Sequence, residues 1–87
     1  MRNLILSKSS KKTLEKLSTS NPVILKAILL RLDELAVNPL TADYKELKGL
    51  KGYYRVRVQK YRIVYQFNPE DLKVVIIELR DKVYKNL

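Results

Sequence analysis

The chain reads as an α+β domain, with two N-terminal helices packed on one face of a small, mainly antiparallel four-stranded sheet. Three observations predict this. Between residues 22 and 37, Leu25, Ile28, Leu29, Leu32, Leu35 and Ala36 recur at three- and four-residue steps, the period of one helix face. Residues 53 to 67 alternate apolar and polar side chains, and residues 72 to 80 form a β-branched run. Asn68-Pro69-Glu70-Asp71 separates the two with a turn signal, its proline suited to the second turn position.

The elements follow in order. Residues 3 to 7 form a short first strand, and a hydroxyl of the Ser7-Lys8-Ser9-Ser10 cluster caps a short helix carrying Leu14 and Leu17. Ser18-Thr19-Ser20 is expected to break that helix. Asn21-Pro22 starts a second one, because asparagine caps free backbone N–H groups and proline is preorganised for the first helical position. It should stop near Asn38-Pro39. Leu40 to Gly52 is a polar connection in which a helical turn would align Lys45, Lys48 and Lys51 on one side. A hairpin follows, with Gln59-Lys60 at its turn. The last strand, Leu72 to Arg80, places Val75, Ile77 and Leu79 on one face and Val74, Ile76, Glu78 and Arg80 on the other.

Composition narrows the function. The 87 residues fit one domain, residues 1–87, and 18 basic against 9 acidic side chains give a net charge of +9. Such a balance favours nucleic acid or another polyanion. The excess is concentrated: residues 45 to 62 hold seven basic side chains and the single acid Glu46. An apolar content of 46% argues against a disordered basic tail. Cysteine and histidine are both absent, which removes disulfides, thiolate metal sites and the commonest general base near neutral pH. Neither Asp33-Glu34 nor Glu70-Asp71 suits a metal, since neighbouring side chains diverge. No signal peptide or membrane span is readable, so a soluble cytoplasmic protein is expected, with no cofactor, no metal and no membrane partner.

The hairpin carries the chemistry. Alternation puts Arg55 and Arg57 on one side of its first strand and Val56 and Val58 on the other. On the second strand Tyr61, Ile63, Tyr65 and Phe67 form an apolar row, leaving Arg62, Val64 and Gln66 opposite. With both apolar rows on one core, three guanidinium groups gather on the open face. Like charges opposed across strands weaken a sheet, while guanidinium grips phosphate through two parallel hydrogen bonds. The cluster therefore points to an anionic partner. Pairing the last strand with the hairpin adds Glu78 and Arg80 to that face, and Tyr84 can fold back over it. The other tyrosines (Tyr53, Tyr54, Tyr61 and Tyr65) read as core or rim residues rather than base-stacking platforms.

The order helix, helix, three-stranded meander, with Leu47-Lys48-Gly49, Gly52-Tyr53-Tyr54-Arg55-Val56-Arg57 and Tyr61-Arg62-Ile63-Val64-Tyr65, resembles the RelE/ParE toxin superfamily, its RelE branch above all. The resemblance implies a type II toxin that cleaves messenger RNA in the ribosomal decoding site and is held inactive by a cognate antitoxin. It implies roles for Arg55 and Arg57 as basic hairpin positions, Arg62 as the phosphate-binding arginine, Arg80 near the end of the last strand and Tyr84 as the C-terminal tyrosine. Lys45, Lys48 and Lys51 are further RNA-binding candidates. Tyrosine is a poor base near its ordinary pKa, but cations within ~4 to 6 Å lower that value by roughly one to three units. Crowding by the arginines is what makes Tyr84 a credible base.

Two departures from the family pattern stand out. Gln59-Lys60 replaces the usual glycine-bearing hairpin loop, although tight two-residue turns need a positive φ. Glu78-Leu79-Arg80 replaces a Gly-His-Arg or Gly-Lys-Arg run. Glu78 is either a proton acceptor or an ion-pair partner that neutralises the arginines. The competing functional readings are a ParE-like DNA gyrase inhibitor without nuclease activity, and a non-catalytic basic module that binds RNA or the ribosome.

Overall fold

The computed structural model describes residues 1–79. The elements run β1 (Asn3–Leu6), α1 (Lys8–Ser20), α2 (Pro22–Val37), β2 (Lys45–Glu46), β3 (Tyr54–Val58), β4 (Tyr61–Phe67) and β5 (Asp71–Leu79). The strands make one five-stranded sheet in the order β1-β5-β4-β3-β2. Among the described residues only the β1–β5 pair is parallel. The α+β architecture stands, with a fifth strand: Lys45 and Glu46, placed in a polar connection by the sequence, pair with Arg55 and Tyr54.

Both helices begin on capping side chains. Ser7 Oγ accepts from the Ser10 N–H and Asn21 Oδ1 from the Ile24 N–H. The expected break at Ser18-Thr19-Ser20 does not occur. These hydroxyls instead donate to carbonyls one turn back, at Glu15 and Lys16, so the helix continues to Ser20. Along α2, Ile28, Leu32, Leu35 and Ala36 are buried as the stripe requires, whereas Leu29 sits at its edge and is 42% exposed.

The main core lies between the helices and one face of the sheet. Leu17, Ile28, Leu32 and Leu35 meet Val56 and Val58 from β3, Ile63 and Tyr65 from β4, and Leu72, Val74 and Ile77 from β5. Tyr54 and Tyr61 pack on its margin, and Tyr44 meets the Tyr54 ring edge-on with centroids 5.8 Å apart. Unbroken alternation along the last strand would bury Val75 with Ile77 beside Ile63 and Tyr65, and Val75 does not take that place. Val64 pairs with Ile76 and Tyr65 with Val74, so Val75 is the extra residue of a β-bulge. The start of α1 satisfies the bulge: the Ser7 hydroxyl donates to the Val75 carbonyl at 2.6 Å and buried Ser10 to that of Val74 at 3.3 Å.

Candidate functional site

Two cross-strand rows organise the face away from the helices. Arg57 on β3, Arg62 on β4 and Glu78 on β5 are direct register partners. Two residues along, Lys45 on β2, Arg55, Val64 and Ile76 form the parallel row. Directly opposed residues in an antiparallel pair stand roughly 4.5 to 5.5 Å apart at Cα. The structure thus brings Arg55, Arg57, Arg62 and Lys45 together and seats Glu78 beside Arg62. Their depths differ. Arg62, in the middle of the sheet, is only 5% exposed, while Arg57 and Lys45 are exposed and Arg55 lies between.

The turn that fixes this register is the one the sequence disfavoured. Gln59 takes φ +55, so Val58 pairs with Tyr61 across a two-residue loop without glycine. Arg57 and Arg62 therefore face each other as the alternation requires.

The face is not wholly open. Leu47, Val64 and Ile76 form a second buried cluster, with Leu50, Tyr53 and Val75 packed against it. Residues 47 to 53 roof this end of the sheet through two successive β-turns. The Leu50 N–H donates to the Leu47 carbonyl at 3.2 Å and the Tyr53 N–H to the Leu50 carbonyl at 3.1 Å. Gly49 (φ +78) and Gly52 (φ +84) fill the third turn positions, where positive φ is required. Lys48 and Lys51 occupy equivalent corners, both exposed, so no helical turn aligns the three lysines. Gly49→Ala and Gly52→Ala are each expected to lower stability by about 1 kcal/mol. An added Cβ meets no heavy atom within 4 Å, so the loss comes from backbone conformation, and urea denaturation measures it.

At the β2 edge a pocket of 280 Å³ is lined by Asp43, Lys45, Arg55 and Arg57. Asp43 is the acid that sequence reasoning missed there. Burial opposes its charge, but hydrogen bonds from Thr41 and Arg31, together with the Arg31 charge, outweigh that and hold its pKa below the usual value. Arg31, on α2, also donates to Glu34 and to Thr41, each at 3.1 Å. This clamp fixes the segment that delivers Lys45 to the arginine face. Arg31 and Asp43 lie 12 positions apart with no periodic signal, so the pairing is visible only in three dimensions. Arg80 and Tyr84 lie outside the described residues.

Chemically, the arrangement can hold a phosphodiester on several guanidinium groups, with one carboxylate beside the deepest of them. Comparison with known proteins gives this face its context. Residues 4–82 match the family described as the ParE toxin of the type II toxin-antitoxin system, parDE. The chain belongs to this toxin family. It is also 35% identical over 81 residues to the putative toxin RelE1 of Methanocaldococcus jannaschii, covering 87% of this chain and 90% of that protein. Among solved structures, the YoeB/ParE toxin from Agrobacterium tumefaciens superposes with a TM-score of 0.80 at 20% identity, over 90% of this chain and 98% of that one. The toxin of the RelB-RelE complex from Methanococcus jannaschii gives 0.71 at 26% identity, over 95% and 98%. The protein is a type II toxin of the RelE/ParE/YoeB superfamily, and the two rows of charge lie on the sheet face of that toxin fold.

Proposed function

We propose that this toxin is a ribosome-dependent endoribonuclease that cuts messenger RNA without a metal ion and is neutralised by a cognate protein antitoxin in the cytoplasm. The row Arg57, Arg62, Glu78, flanked by Arg55 and Lys45, carries the reading. In such a cleavage the RNA 2′-oxygen bonds to the adjacent phosphorus as its proton is taken by a base. The 5′-oxygen leaves and takes up a proton, and charge builds on the phosphoryl oxygens. Guanidinium groups fixed on strands stabilise that charge without rearranging, the largest single contribution in many enzymes. Arg55, Arg57 and Arg62 serve this role, joined by Arg80. Tyr84 takes the hydroxyl proton, and Lys45, Lys48 and Lys51 hold the RNA on either side. Arginine remains protonated and donates poorly to a leaving oxygen. The ribosome completes the site by holding the RNA in an attack geometry.

Controlled expression with mapping of messenger RNA ends tests the proposal. In-frame cuts should appear during growth arrest and vanish in Arg80→Ala and in Tyr84→Phe. Cuts that persist in both variants remove these two residues from the site. The family match motivates a second reading, a ParE-like inhibitor of DNA gyrase. Arrest with intact transcripts and damaged DNA would establish it and end the nuclease proposal.

A further inference from the structure

The outer face of α2 carries an apolar stripe that the fold does not use. Val23, Leu30 and Val37 are 74%, 56% and 67% exposed, although the inner face of the same helix is fully packed. They are spaced seven residues apart, two helical turns, so they line up over roughly 21 Å. Exposed Lys26 and Asp33 lie on one flank of the stripe, also seven apart. That distance is too great for them to pair within the helix, where partners stand three or four residues apart.

The stripe is its own complement when a second copy is turned end for end about Leu30. Val23 then meets Val37 of the other copy, Leu30 meets Leu30, and Lys26 meets Asp33 on the shared flank, each contact occurring twice. A parallel two-fold pairing would instead put the two flanks on opposite sides of the seam, where Lys26 meets no Asp33. We propose that α2 mediates a two-fold, antiparallel association of two copies of this chain, with Leu30 at the axis. One self-complementary patch used twice is the form a two-fold interface takes. A single helix pair buries less than about 1,200 Å² in total, which places the dimer in the weak, transient class.

Sedimentation velocity of the 87-residue chain over a concentration series tests this. A reversible doubling of the 10.2 kDa mass is expected at high micromolar concentration. Leu30→Glu, which sets two carboxylates face to face at the axis, should abolish it. Lys26→Glu or Asp33→Lys alone should weaken it about tenfold, since each turns two attractive contacts repulsive. An equimolar mixture of those two variants should dimerise again, because every acid on one chain then meets a lysine on the other. The substituted positions are exposed, and circular dichroism confirms that each variant is folded. Dimers that survive Leu30→Glu, or a mixture that stays monomeric, overturn the proposal. A chain that remains monomeric throughout, with Leu30→Glu weakening antitoxin binding instead, also overturns it and assigns the stripe to the antitoxin.

Discussion

Replacing Arg62 by lysine is expected to slow messenger RNA cleavage by about a hundredfold while leaving the fold intact. Among the described residues of the proposed site Arg62 is the most buried cation, at 5% exposure on a central strand, with Arg57 and Glu78 as its register partners. Lysine keeps the positive charge and much of the aliphatic stem, so the neighbouring carboxylate still faces a cation. It loses the planar fork that binds two phosphoryl oxygens at once. Alanine at this position would be ambiguous, because removing so buried a side chain would also open a gap in the middle of the sheet. Cleavage by the purified toxin on programmed ribosomes, read beside a urea melt of the same variant, separates chemistry from folding. Unchanged cleavage would exclude Arg62 as a phosphate ligand. Arg57, exposed on the neighbouring strand, should behave differently. Arg57→Ala is expected to weaken ribosome binding and to reduce its salt dependence by about 0.7 logarithmic units per tenfold change in salt, the loss of one phosphate contact.

Tyr65→Phe is expected to lower stability at neutral pH by about 1 to 2 kcal/mol. Tyr65 is fully buried, and its hydroxyl donates to the Pro39 carbonyl, tying β4 to the segment that follows α2. Phenylalanine leaves that carbonyl without its donor. Burial pushes the Tyr65 hydroxyl up to about 12, with smaller and partly opposing effects from Arg31 and Asp43. In the unfolded chain the same group ionises near the ordinary value of 10. Between pH 10 and 12 the unfolded chain releases this proton while the folded one retains it, so the Tyr65 contribution is complete below 10 and declines above it. The advantage of the wild-type chain over Tyr65→Phe should therefore shrink as pH rises through that window. Urea titrations at pH 7, 9, 10 and 11 measure it, and a difference that does not change with pH would rule out the linkage.

Much of the charged face was legible because strand alternation is a rigid rule. Arg55, Arg57 and Arg62 had to share a face once Val56, Val58, Ile63 and Tyr65 were committed to the core, and they do. The caps of α2 were equally readable in Asn21-Pro22 and Asn38-Pro39. What escaped has identifiable causes. β2 is two residues long, too short to show any period. In residues 45 to 53 the charge draws the eye to the lysines, while the packing belongs to Leu47, Leu50 and Tyr53, which share the same three-residue spacing. Hydroxyls that end a helix in one context extend it in another, and the choice at Ser18-Thr19-Ser20 depends on whether they fold back on the preceding turn.

The bulge at Val75 was hidden because Val74-Val75-Ile76-Ile77 is apolar throughout and shows no break in alternation. Its effect on β5 resembles a frameshift. Before it, even-numbered residues face the helices, as Leu72 and Val74 do; after it, odd-numbered Ile77 does, and even-numbered Ile76 and Glu78 turn to the charged face. One surplus residue thus lets a single strand serve both faces of the sheet. Deleting it would leave composition, charge and nearly all of the length unchanged, yet force one half of β5 to present the wrong side. A turn can gain or lose a residue without turning any side chain of a strand to the other face, whereas the residue count of β5 is locked by parity.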